Sequence, residues 1–168
     1  AQTTIYQENF SGFSNGYIGT NAGSDIGVWA ASVSGACNNK TYWGTYDTGG
    51  LIDGMGLKTV AIGASCTLGT GSYTTTVATS NLFAYTTIST TGYTGITLEF
   101  DWKGVGEKGT APTVYDYGRV IYRTGTTGTW QILTTGGNAS YPGKYVDKNT
   151  TQHTVLNLPV GVNNLAKI

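Results

Sequence analysis

Residues able to do chemistry are few in this chain, which has nine acidic residues, nine basic residues and one histidine among 168. Five charged residues crowd into the stretch EFDWKGVGEKG, residues 99–109. Two carboxylates about 5 to 10 Å apart can hydrolyse a glycosidic bond. The candidate pairs are Glu99 with Asp101 and Glu107 with Asp116. Because the sequence does not set either separation, glycoside hydrolysis is kept only as an alternative function.

The single histidine adds little to the case for catalysis. His153 lies in TTQHTVLNLP, without a spaced His or Cys partner that could bind zinc with it. A lone histidine in such a stretch is usually an ordinary strand residue. The sequence therefore predicts a protein that is not an enzyme.

Aromatic side chains in polar, glycine-rich stretches offer a binding chemistry instead. A sugar ring has an apolar face that stacks on Trp or Tyr, while its hydroxyls bond to Asn, Asp, Gln or Arg. Two stretches combine these residue types, at 38–50 and 136–149. The predicted ligand-binding residues are Tyr42, Trp43, Tyr46, Asp47, Asn138, Tyr141 and Tyr145. The alternative is that Trp43 and one tyrosine fold back to cover the end of the domain.

Strands must position these side chains, because alternation of apolar and polar residues is the recurring pattern. Leu98, Phe100 and Trp102 alternate with polar residues and so share one face of a predicted strand. Similar runs occur at 26–33, 57–63, 73–80, 117–124, 129–135 and 153–159. Turn clusters rich in Gly and Thr separate the runs. The pattern predicts an all-β sandwich or barrel.

Composition agrees with this fold class. The chain has 26 Gly, 12 Tyr and a single Met, and aromatic side chains fit strands while Gly permits tight turns. No stretch of a dozen residues has convincing helical periodicity. Without an internal repeat or a low-complexity linker, residues 1–168 are predicted to form a single domain.

Charge and hydropathy exclude several classes of partner. The formal net charge is +0, so there is no basic footprint for nucleic acid. No apolar run approaches the roughly 20 residues of a membrane span. The start AQTTIYQENF is typical of a chain from which a secretion signal has been removed. A secreted or cell-surface location is predicted, where Cys37 and Cys66 could form a disulfide; two buried thiols are the alternative.

The last residues, VGVNNLAKI at 160–168, begin like another apolar strand. A short strand of this kind leaves an edge to which a neighbouring molecule can add a strand. The pattern therefore predicts either a fragment of a longer polypeptide or self-association through this C-terminal edge.

The order of landmarks along the chain resembles a known family. The landmarks are ENF near the start, NAGSDIGVW (21–29), LEFDWKGVGE (98–107), YDYGRVIYRTGTTGTW (115–130) and LPVGVNNLAKI. This arrangement resembles the jelly-roll modules of bacterial secreted and surface proteins, namely cleaved-adhesin and related MAM-like domains of the choice-of-anchor type. The resemblance implies a two-sheet antiparallel β-sandwich of jelly-roll type, with a role in adhesion or carbohydrate binding.

The resemblance also implies a structural calcium ion. Calcium takes six to eight oxygen ligands, and carboxylates from distant segments can supply them. The predicted ligands are Glu8, Asp25, Asp101 and Asp116. The loop NAGSD holds fewer Asp residues than the family's pattern, and each carboxylate could instead cap a turn or pair with a nearby Lys or Arg.

These patterns together predict a non-catalytic carbohydrate-binding or adhesion module, within a larger secreted or cell-surface bacterial protein. The expected partner is a polysaccharide or a cell-surface glycan. A structural subunit of an extracellular filament or surface layer, joined by strand pairing, is the first alternative. A glycoside hydrolase is the second.

Overall fold

The computed structural model describes residues 2–10, 84–110 and 112–168 in full, and the backbone alone of five strands between residues 16 and 61. The chain divides into two compact units, residues 1–87 and 88–168. The single domain predicted over 1–168 stays a prediction.

The described strands of the first unit form two antiparallel sheets of three strands each. The strands are β1 (Gly16–Tyr17), β2 (Thr20–Ala22), β3 (Val28–Ala31), β4 (Thr41–Asp47), β5 (Met55–Ala61) and β6 (Ala84–Thr86). One sheet has the order β1, β4, β5 and the other the order β2, β3, β6. β3 falls inside the predicted run 26–33 and β5 overlaps the run 57–63, whereas 73–80 lies outside the described residues.

Among the described residues, the strands of the second unit form three two-stranded sheets. The elements are β7 (Thr97–Gly104), β8 (Ile121–Tyr122), β9 (Gln131–Ile132), β10 (Gly137–Asn138), β11 (Tyr141–Pro142), β12 (Lys148–Asn157) and a 3-10 helix at Val160–Val162. β7 pairs with β12, β8 with β9, and β10 with β11, all antiparallel. The predicted runs at 117–124 and 129–135 are strand only at β8 and β9. Gly118 forms an isolated bridge with Tyr145, and a turn covers residues 125–127.

The alternation predicted for β7 is confirmed. Trp102 is buried and Leu98 and Phe100 are half-buried, while Glu99 and Asp101 are exposed. The register with β12 extends the same division, because buried Leu156 lies opposite Leu98. The Trp102 Nε1–H donates a hydrogen bond of 2.9 Å to Thr154 Oγ1 on β12. This bond gives the indole a polar partner on the inner face.

The core of the second unit gathers around the segment that precedes β12. Val146 is fully buried and packs with Val114 and Tyr141. The Tyr145 ring meets Trp102 edge to face at 4.9 Å between centroids, and Phe100 at 5.4 Å. Gly136 has a φ of +78°, and a side chain there would meet the Tyr145 hydroxyl. A glycine is needed at this turn both for its backbone angle and for space.

The C-terminal segment folds back within the second unit. Ile168 and Ile88 exchange backbone hydrogen bonds of 2.9 and 3.2 Å. The fully buried Thr90 hydroxyl donates to the Val162 carbonyl at 2.5 Å and accepts from the Leu165 N–H at 3.0 Å. The strand predicted from VGVNNLAKI is thus a short 3-10 helix followed by a turn and an irregular segment, and these hydrogen bonds pair its backbone groups within the unit.

The fold class follows from these elements. The described residues form mostly strands and no α-helix, so the protein is all-β. The one helix of the described residues is three residues long, far short of the roughly 20 needed to cross a bilayer.

Candidate functional site

Glu99, Asp101 and His153 form a carboxylate-histidine cluster on the exposed face of β7 and β12. Glu99 and Asp101 are two residues apart on one strand, and His153 pairs in register with Asp101 on the other. The His153 Nδ1 lies 2.7 Å from Asp101 Oδ1, and its Nε2 lies 3.1 Å from Glu99 Oε1. The imidazole therefore bridges the two carboxylates that the sequence pattern places on one face.

The two carboxylates favour the protonated imidazole. The hydrogen bond to Asp101 is the largest cause that raises the pKa of His153 above its ordinary value of 6.5. Desolvation lowers the pKa in part, and the charges of Asp101 and Glu99 together with a hydrogen bond to Glu99 raise it further. The imidazolium then donates from both ring nitrogens.

This arrangement limits the chemistry of the cluster. A histidine binds a metal through a neutral ring nitrogen with a free lone pair, and here both nitrogens face carboxylate oxygens. Among the described residues, no three His, Cys, Asp or Glu side chains are placed to hold a metal ion. The cluster is therefore an ion-pair network on the surface of the sheet.

The predicted calcium ligands do not form a ligand set in the described residues. Asp101 belongs to the carboxylate-histidine cluster. Glu8 Oε1 accepts a hydrogen bond of 2.7 Å from the Phe10 N–H, as a turn cap does. Asp116 is half-buried, with its Oδ2 atom enclosed and without a hydrogen-bond partner. Asp25 lies outside the described residues, so calcium stays a prediction.

Asn138, Tyr141 and Tyr145, predicted to bind a ligand, are brought together in the core. Tyr141 and Tyr145 are only 8% and 7% exposed. The buried Asn138 amide donates to the Val146 carbonyl at 3.0 Å, and its Oδ1 accepts from the Ser140 N–H at 2.9 Å. These contacts use the amide internally, and burial leaves little of either ring for a sugar to stack on.

The Tyr145 hydroxyl is enclosed without a partner of hydrogen-bond geometry. Burial raises the pKa of this phenol above its ordinary value of 10.0, and the neighbouring Gly137 backbone offsets part of that effect. The neutral phenol therefore persists at physiological pH.

The remaining predicted positions lie in the first unit. Tyr42, Trp43, Tyr46 and Asp47 belong to β4, whose backbone pairs with β5, and their side chains are outside the described part of the structure. Cys37 and Cys66 also lie outside it, and the disulfide stays a prediction.

One stretch that matches a catalytic pattern lacks the structural context of that pattern. Residues 12–16 read GFSNG, a Gly-x-Ser-x-Gly sequence. A nucleophile elbow requires a strand before the serine and a helix after it. Here Gly16 begins β1, so a strand follows instead.

A second candidate site, not anticipated from the sequence, lies on the segments that flank β8 and β9. The turn that joins these strands places Arg123 beside Trp130, with the guanidinium carbon 4.5 Å from the ring centroid. Arg119 and Lys144 both lie over Tyr117, at 4.9 and 4.8 Å from its centroid. We call these five residues, Tyr117, Arg119, Arg123, Trp130 and Lys144, the aromatic-cationic surface.

Strand pairing puts these side chains on one face. Gly118 bridges to Tyr145, whose side chain points into the core, and Val120 pairs with buried Leu133. Residues 117, 119, 121 and 123 therefore point outward, because side chains alternate along an extended chain. Tyr117 is 37% exposed and Ile132, across from Ile121, is 48% exposed.

The Arg119 guanidinium is further oriented by a hydrogen bond of 3.1 Å to the Tyr117 hydroxyl. The sequence signal for this surface is the alternation of Tyr117, Arg119 and Arg123 outside an inner row of apolar residues. The pattern of aromatic residues beside short polar ones does not include this surface, because its polar partners are long cationic side chains.

Comparison of this chain with protein-family models, with curated proteins and with solved structures finds no match. The resemblance to cleaved-adhesin and MAM-like modules therefore stays a prediction. The case for a function depends on the geometry of the two candidate sites.

Proposed function

We propose that this chain is a non-catalytic carbohydrate-binding module of a secreted or cell-surface protein, built as a two-sheet β-sandwich of jelly-roll type. The all-β class of the described residues is consistent with this architecture. The sugar binds at the aromatic-cationic surface.

The observation that carries the proposal is the exposed Tyr117 ring, over which Arg119 and Lys144 both lie at less than 5 Å from the centroid. A sugar presents C–H groups from its ring faces and hydroxyls from its edge, so it needs an aromatic surface beside hydrogen-bond donors. The guanidinium and the ammonium supply the donors. The outward row from residue 117 to residue 123 extends over about 20 Å of chain, which favours an elongated ligand such as a polysaccharide.

The test is isothermal titration calorimetry against a panel of neutral and acidic polysaccharides, with variants Tyr117→Ala and Trp130→Ala. Each substitution is expected to weaken binding about fivefold or more, because losing a central aromatic contact costs more than about 1 kcal/mol.

Tyr93→Ala is the matched control. Tyr93 is similarly exposed, at 41%, but it lies in the turn after Thr90 and outside this surface. It should leave affinity unchanged. Equal losses in all three variants, or no binding to any polysaccharide, would contradict the proposal.

The same panel separates the alternatives. Release of reducing sugar would favour a glycoside hydrolase, and Glu99→Gln would then abolish it if Glu99 and Asp101 act as the acid pair. Polymers seen by electron microscopy at high concentration, without glycan binding, would favour a filament or surface-layer subunit.

A further inference from the structure

We propose that the ligand of the aromatic-cationic surface is an acidic polysaccharide, whose sugars carry carboxylate or sulfate groups. This inference rests on the proposed function and narrows it to one class of glycan.

Basic and acidic residues are unevenly distributed along the chain. Residues 88–168 hold seven basic and five acidic residues, a formal net charge of +2. Within them, the 28 residues from 117 to 144 contain Arg119, Arg123 and Lys144 but no Asp or Glu. This stretch therefore has a formal charge of +3, although the net charge of the whole chain is +0.

Elsewhere in residues 88–168, cationic side chains pair with carboxylates. Lys108 Nζ lies 2.6 Å from Asp147 Oδ1, and His153 lies between Glu99 and Asp101. Neither Arg119 nor Lys144 forms an ion pair with a carboxylate of the described residues. These two cations contact an aromatic ring instead, which leaves their charge uncompensated.

Arg119 and Lys144 also lie close to each other. Both lie less than 5 Å from the Tyr117 centroid, so their charges are within about 10 Å of each other, inside the screening length at 0.1 M salt. Like charges this close repel. An anionic group bound at Tyr117 interacts favourably with both, and Arg119 can bind a carboxylate or a sulfate through two parallel N–H donors.

A neutral sugar needs none of this charge, since stacking and uncharged hydrogen bonds are enough to hold it. The pattern therefore favours a polyanion over a neutral chain. Carboxylated and sulfated polysaccharides share the feature that would be recognised, a sugar ring that carries an anionic substituent.

The experiment is calorimetric titration of the full chain with matched pairs of polymers. Polygalacturonate is compared with its carboxyl-reduced form, and a sulfated galactan with its desulfated form. Measurements at about 50 and about 300 mM NaCl test screening. The variants are Arg119→Gln and Lys144→Gln, with Lys148→Gln as a control, because Lys148 is a lysine outside this surface.

At least one charged polymer should bind tenfold or more tightly than its uncharged form, and more weakly at high salt. Arg119→Gln and Lys144→Gln should each weaken that binding about fivefold, whereas Lys148→Gln should not. The pair with the larger difference identifies carboxylate or sulfate as the preferred group.

The contrary outcomes are distinct. Equal affinity for charged and uncharged polymers would overturn this inference and leave the carbohydrate-binding function in place. No affinity for any polymer would overturn both. Tighter binding to poly(dT) than to every polysaccharide would also overturn both and would favour a nucleic-acid ligand.

Discussion

His153 shows at the scale of single residues how a surface position acquires a defined charge. It is the only histidine of the chain, so its proton resonances are assigned without ambiguity. The hydrogen bond to Asp101 and the charges of both carboxylates raise its pKa above 6.5. We expect an NMR titration to give a folded-state pKa above that value, and Asp101→Asn to lower it. A midpoint at or below 6.5 would contradict the observed geometry.

The raised pKa of His153 also predicts how the stability of the fold changes with pH. A group whose pKa is raised on folding stabilises the fold fully below its unfolded value and loses that effect as the pH rises through its folded value. The contribution of His153 should therefore be present below about pH 6.5 and decline above it. Urea unfolding of the wild type and His153→Gln should differ more at low pH than at high pH; the reverse trend would exclude the ion-pair network.

Tyr145 allows packing and ligand binding to be told apart. Because its buried hydroxyl has no partner of hydrogen-bond geometry, Tyr145→Phe should change the free energy of unfolding by less than about 1 kcal/mol. Tyr145→Ala removes the ring that packs on Trp102 and should cost about 3 to 5 kcal/mol. Denaturant unfolding measures both. A Phe variant that is stable but binds glycan poorly would instead place Tyr145 in a binding site.

At the scale of elements, Thr90 connects the C-terminal segment to the start of the second unit. Thr90→Val leaves the Val162 carbonyl and the Leu165 N–H without this partner, at a cost of roughly 2 kcal/mol. Thr90→Ser keeps the hydroxyl and should lose about 1 kcal/mol for the missing methyl group. Hydrogen exchange should be faster at the Ile168 amide, which donates to Ile88, in the Val variant alone. Equal effects of both substitutions would assign the role to packing.

At the scale of the whole molecule, the chain forms two compact units, and the second contains its own buried residues. Hydrophobic contacts such as those of Val146 with Val114 and Tyr141 lie entirely within residues 88–168. We therefore expect a fragment of residues 88–168 to unfold cooperatively and to retain the His153 titration. A fragment without a cooperative transition would support the single domain predicted from the sequence.

The predicted calcium ion is tested on the whole chain as well, because its candidate ligands are spread along the sequence. Glu8 and Asp25 fall in residues 1–87, and Asp101 and Asp116 in 88–168. Among the described residues of the second unit, no three His, Cys, Asp or Glu side chains are placed so that they could hold a metal ion. EDTA should lower the melting temperature of the full chain, because an ion that binds the folded state stabilises it. An unchanged melting temperature of the full chain would contradict the prediction of a structural calcium ion.

The strands themselves were predictable because their cause is local. The alternation of Leu98, Phe100 and Trp102 with polar residues specifies which face of β7 is buried, whichever strand pairs with it. Glycines that adopt positive φ, such as Gly125 and Gly136, also mark turns by a property of the residue alone. The all-β class and the inner and outer faces of β7 could therefore be predicted from local sequence patterns alone.

Which aromatic residues are exposed depends on long-range contacts in the tertiary structure. Tyr141 and Tyr145 lie in a polar, glycine-rich stretch and are buried, whereas Tyr117 is exposed, with two cations less than 5 Å from its centroid. The pairing of Gly118 with Tyr145 sets both outcomes, and it joins segments 27 residues apart. Composition around a residue cannot specify a contact of this kind, because burial depends on which distant strand covers each face.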